Sequence, residues 1–67
     1  MHWQKVYSTL DPHRAHIVQS VLSANSLPAV MLNKQDTAYL FGHFEVHVGA
    51  DDVLRAIKII GDEIQFE

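Results

Sequence analysis

Three polar residues on one short run carry most of the chemistry open to this 67-residue chain: His43, Glu45 and His47, within His43-Phe44-Glu45-Val46-His47-Val48. Imidazoles beside a carboxylate can transfer protons, bind a metal ion or form ion pairs whose strength depends on pH. Phe44, Val46 and Val48 alternate with them, which reads as a strand with one apolar face, so the three polar side chains share the other. Four residues along a strand separate His43 from His47 by ~13 Å, too far for the two rings to chelate one ion directly. His13 and His16 stand closer, about 5–6 Å apart at i and i+3 of a helix, but no third ligand accompanies them. No metal site and no cofactor is therefore expected. The chain has no cysteine nucleophile, Gly-x-Ser-x-Gly elbow, Walker loop or His-Glu-x-x-His pair, and Asp51-Asp52 is explained by the needs of a helix start.

The elements that must position these residues can be read in order. Trp3 to Ser8 carries aromatic and β-branched side chains and reads as a strand. Asp11-Pro12 opens a helix, in which Ala15, Ile17, Val18, Val21, Leu22 and Ala24 gather on one side and His13, His16, Gln19, Ser20 and Ser23 on the other. Asn25 is expected to close that helix as a left-handed cap, with Pro28 preventing continuation. Ala29 to Leu32 reads as a second strand, Asn33 to Ala38 as a polar connection, and Phe44 to Val48 as a third strand. After Gly49 a second helix follows, with Val53, Ala56, Ile57, Ile60 and Ile64 on one face. Gly61 either ends that helix, leaving 62–67 as a short strand, or lies within it. The order β-α-β-β-α, with or without a final β, predicts an α+β, ferredoxin-like split βαβ sandwich in which two helices cover one face of a mainly antiparallel sheet. The whole chain, 1–67, reads as a single domain.

On the uncovered face, period two with Val6 inward places Trp3, Lys5 and Tyr7 outward. A register pairing Lys5 with Glu45 would bring Tyr7 near His43 and Trp3 near His47, making a patch of aromatic rings, imidazoles and one ion pair. Composition limits what such a patch could serve. A chain this short buries only roughly 60% of its unfolded surface and has no disulfide, so self-association is the expected source of further burial. Five Lys and Arg against eight Asp and Glu give a net charge of −3, which argues against a nucleic-acid partner. Apolar stretches such as Leu27 to Leu32 fall far short of the ~20 residues of a membrane span, and no signal-peptide core is present, so the expected location is the cytoplasm. Protonating all five histidines would move the formal charge from −3 to +2, which would make association sensitive to pH.

The sequence also resembles a small bacterial family, the "putative prokaryotic signal-transducing proteins". The resemblance is carried by Lys5-Val6-Tyr7, by Ala15-His16-Ile17-Val18 with Leu22 and Ala24-Asn25, by Asn33, by Tyr39-Leu40-Phe41-Gly42 leading into Phe44 to Val48, and by Asp51-Asp52. It implies a fold similar to nitrogen-regulatory PII proteins, which bind effectors and partners through oligomer clefts and a long loop between strands two and three. Asn33 to Gly42 takes that position here, with Tyr39 and Phe41 as its apolar anchors, and lacks a phosphate-cradling glycine pattern. The reading is a homo-oligomeric regulatory module that binds a protein or small molecule through Trp3, Lys5, Tyr7, His43, Glu45 and His47 and through Asn33, Tyr39 and Phe41. The alternatives are a small enzyme whose site forms between subunits, with His43, His47 or Tyr7 as acid or base, and a structural assembly subunit.

Overall fold

A computed structural model describes residues 2–36 and 41–64 and, for residues 35, 36 and 41, the backbone. Its elements are strand β1 (Trp3–Thr9), helix α1 (Pro12–Ala24), strand β2 (Ala29–Asp36), strand β3 (Phe41–Gly49), a 3-10 turn (Ala50–Asp52) and helix α2 (Val53–Glu63). The sheet has the order β1-β3-β2, with β3 antiparallel to both neighbours. This is the expected α+β, ferredoxin-like order β-α-β-β-α.

Local chemistry explains the boundaries. Asp11 caps α1: its carboxylate accepts from the His13 N–H at 2.9 Å, Thr9 Oγ1 accepts from the Asp11 N–H at 3.1 Å, and Pro12 takes a first-turn position where no N–H is needed. The C-terminal end is a Schellman motif. The Leu27 N–H reaches the Leu22 carbonyl and the Ser26 N–H reaches that of Ser23, both at 3.0 Å, while Leu22 and Leu27 are both buried. The left-handed residue is Ser26, at φ 62°, whereas Asn25 stays at φ −93° and donates its side-chain amide to the Val21 carbonyl at 2.8 Å. The expected left-handed cap is thus displaced by one residue, because the motif seats that conformation one position beyond the cap.

Both helices pack on one face of the sheet, α1 against all three strands and α2 against β1 and β3. Between the layers lie Ala15, Val18 and Leu22 of α1, Leu27 of the connection from α1 to β2, Val46 and Val48 of the inner face of β3, and Ala56 of α2, all with at most 1% exposure. Each large side chain buried in this way stabilises the fold by about 1.5–3 kcal/mol. Gln19, placed by periodicity on the polar side of α1, donates instead to the Ala29 carbonyl at 3.1 Å and ties the helix to the start of β2.

Three expectations about the helices need correction. Ala24 is exposed, at the last turn of α1. Ile57 is 53% exposed, and Ile59 packs against the core in its stead, because the buried stripe of α2 centres on Ala56 and Ile57 stands about 100° round from it. Asp52 occupies the cap position of α2 without a side-chain cap bond, since the 3-10 turn leads into the helix and its carboxylate faces Arg55 at 4.0 Å. Gly61 lies inside α2, so residues 62 and 63 are helical. Ile64 is extended, and residues 65–67, where a final strand was considered, lie outside the described residues. Among the described residues no helix is long and apolar enough to cross a membrane.

A left-handed conformation costs a β-carbon-bearing residue about 1–2 kcal/mol, part of which glycine recovers. Ser26→Gly should therefore raise the urea midpoint, corresponding to a gain of up to about 1 kcal/mol, with an unchanged slope. A lowered midpoint would show that the Ser26 side chain contributes more than its backbone costs.

Candidate functional site

The pleat of β3 divides its side chains. Val46 and Val48 are buried under the helices, with Phe44 packed against the same cluster, so His43, Glu45 and His47 project from the opposite, uncovered face. Pairing then fixes their neighbours. From β1, Trp3 stands opposite Gly49, Lys5 opposite His47 and Ser8 opposite Glu45. From β2, Val30 stands opposite His47, Leu32 opposite Glu45 and Lys34 opposite His43.

The register of β1 differs from the expected one in two ways. Lys5 pairs with His47 rather than Glu45, and Trp3 with Gly49 rather than His47, a shift of two residues that keeps both on the uncovered face. Between Lys5 and Tyr7 the ladder is irregular, and Tyr7 falls opposite Val46. A bulge of one residue reverses the parity of everything beyond it, so Val6 and Tyr7 both pack against the core cluster. Tyr7 is thereby removed from the patch that the unbroken alternation predicted.

The expected loop is also reduced. β2 continues through Asp36 and β3 begins at Phe41, so most of Asn33 to Gly42 is hairpin strand rather than connection. Asn33 is a strand residue opposite Phe44, on the helix-bearing side of the sheet. Its low strand propensity is overridden by continuous pairing with the central strand. Phe41 opposes Asp36 in the ladder, and Tyr39 lies outside the described residues.

At the centre of the open face, Glu45 is held from both ends. His43 Nε2 lies 2.8 Å from one carboxylate oxygen and His47 Nε2 lies 2.9 Å from the other. An ionised carboxylate can only accept, so both rings carry their proton on Nε2 and donate it. The Glu45 side chain is 13% exposed and that of His47 15%, against 39% for His43, so the cluster is closed at its His47 end and open at the other. The two rings reach the carboxylate between them, not each other, and among the described residues no group of three such side chains is arranged to hold a metal ion.

The histidine bonds, His47's above all and then His43's, lower the Glu45 pKa from 4.5 to about 2, against a smaller opposing effect of burial and with help from the charge of Lys5. Glu45 is thus a fixed anion across the physiological range. Sequence reasoning missed Ser8, Val30, Leu32 and Lys34 as members of this face. The apolar run Ala29 to Leu32 shows no alternation of its own, and their side could be assigned only from the pairing with β3. A recess of about 310 Å³ lies elsewhere, lined by His2, Gly49, Ala50, Asp51 and Asp52.

A three-stranded antiparallel sheet with helices on one side and a clamped carboxylate on the other defines a ferredoxin-like domain with a polar-centred open face. Residues 3–63 match the model of the family described as "Putative prokaryotic signal transducing protein", and the chain belongs to that family. Comparison with curated proteins and with solved structures gives no match.

Urea unfolding followed from pH 6 to pH 2 tests the cluster. A carboxyl whose folded value lies below its ordinary one stabilises fully above about pH 4.5, and that stabilisation is lost as the pH falls towards about 2. Glu45→Gln should be less stable than the natural chain at pH 6, with the gap closing across that window. A gap that stays constant would show that the two imidazoles do not hold the carboxylate.

Proposed function

We propose that this protein is a small signal-transducing module that associates with a second copy of itself through the open sheet face and passes its state to a protein or small-molecule partner. The observation that carries the reading is the composition of that face. Trp3 at 43% exposure, with Val30 and Leu32, surrounds a polar centre in which each Glu45 carboxylate oxygen is already bonded to an imidazole Nε2. A carboxylate already bonded at both oxygens loses less when water is removed than a bare one, and the aromatic and aliphatic side chains around it gain by burial.

Charge favours a second copy as the occupant. Lys5 and Lys34 stand at register positions of this face and Glu45 lies between them, so with neutral imidazoles the face carries both signs and, on these three groups, one net positive charge. A surface that carries both signs can meet itself across a two-fold axis with a lysine of one copy facing the carboxylate of the other. The layered shape, 35 × 32 × 15 Å, gives the contact a broad, thin footing, and stacked sheets ordinarily approach to about 10 Å. The family description supports a signalling role.

Sedimentation equilibrium and native mass spectrometry at micromolar concentration should find a dimer. Replacing Trp3 and Leu32 together by Ser should weaken it by at least about a hundredfold, given roughly 1.5–3 kcal/mol for each large apolar side chain buried. Replacing Leu54 and Ile57, exposed on α2, by Ser should leave it unchanged. A monomeric natural chain, or a dimer indifferent to the Trp3 and Leu32 changes, would overturn the reading.

A further inference from the structure

We infer that the open sheet face is a pH gate: His43 and His47, fixed on either side of Glu45, set the charge of the surface through which two copies meet and release the pair in mild acid. The inference rests on the self-association reading above and adds its regulation.

The charged groups that face the two imidazoles can be enumerated from the elements packed around them. β1 contributes Lys5, directly opposite His47, and β2 contributes Lys34, directly opposite His43; Asp36 stands at the next position of the same parity on β2. β3 contributes Glu45 alone between them. The remaining described neighbours across the ladder, Ser8, Val30 and Leu32, are uncharged, and both helices lie on the other side of the sheet.

Imidazoles ordinarily gain their charge between pH 8 and pH 5. Glu45 stays ionised throughout that range and keeps both Nε2–H donors, so protonation leaves the cluster assembled while adding one positive charge at each ring. One carboxylate cannot offset two imidazolium ions and the two lysines opposite them. Counting Lys5, Lys34 and Glu45, the net charge of the face passes from one positive to three, and a two-fold contact brings two such faces together. In a contact partly closed to water, like charges at this spacing are repulsive. The sign follows: the paired state disfavours the protonated rings, so pairing is strongest at and above neutral pH and weakens as the pH falls through the imidazole range. His47, with its ring 15% exposed, is already the more enclosed of the two and would feel the partner's charge most.

Sedimentation equilibrium at pH 7.5 and pH 5.5, at one ionic strength, tests the gate on the natural chain and on His43→Gln/His47→Gln, whose amides can still donate to Glu45. The dissociation constant of the natural dimer should rise at least tenfold on acidification, and that of the double variant by less than threefold. High salt should shrink the natural chain's response, because it screens the repulsion. Long-range ¹H–¹⁵N spectra of the natural chain supply a readout that needs no variant: both rings should titrate at lower pH in concentrated, dimeric samples than in dilute, monomeric ones. A dimer with the same constant at both pH values, a double variant that responds as the natural chain does, or ring titrations independent of concentration would overturn the gate alone. A chain monomeric at both pH values would overturn the self-association reading and the gate with it.

Discussion

The pleat of β3 is the constraint on which the rest depends. This strand is hydrogen-bonded on both edges, so its side chains have no freedom to choose a side: Val46 and Val48 go to the helices, and His43, Glu45 and His47 go to the other surface. A slip of one residue would put two imidazoles and a carboxylate into a core that holds no buried polar side chain among the described residues, and would turn both valines out to water. The apolar contacts and the polar cluster therefore enforce the same register.

The helices can sit close to this strand because their contact residues are small. Ala15 on α1 and Ala56 on α2 are fully buried, and both lie against the cluster of Val18, Leu22, Val46 and Val48. Such a core is well filled but slight. A domain of this size draws roughly 3–5 kcal/mol from a single core, so any partner that binds only the folded state adds a large fraction of the total.

The element order, the helix starts and the two faces of β3 were legible in the sequence because each has a local cause: Asp11-Pro12 for α1, and strict alternation for β3. What was not legible depends on contacts between distant residues. The bulge at Val6 leaves no mark in Lys5-Val6-Tyr7, yet it decides that Tyr7 packs inward. The extension of β2 through Asp36 is drawn out by pairing with β3, against the turn-forming character of Asn33 and Asp36. The side of the sheet taken by His43, Glu45 and His47 and by Trp3 and Lys5 was legible in the alternation. That of Tyr7, and the strand position of Asn33, were not, because there the pairing partner rather than the residue itself decides the side.

The irregularity in β1 has a consequence for how copies of this protein can meet. β1 lies at the border of the sheet among the described residues, and a regular border strand would offer its unpaired amides to the same strand of another molecule, without limit. An extra residue in mid-strand twists that border and interrupts the row of donors and acceptors, so strands cannot be added there one after another. Strand-by-strand growth into open-ended fibres is thereby discouraged at the β1 rim.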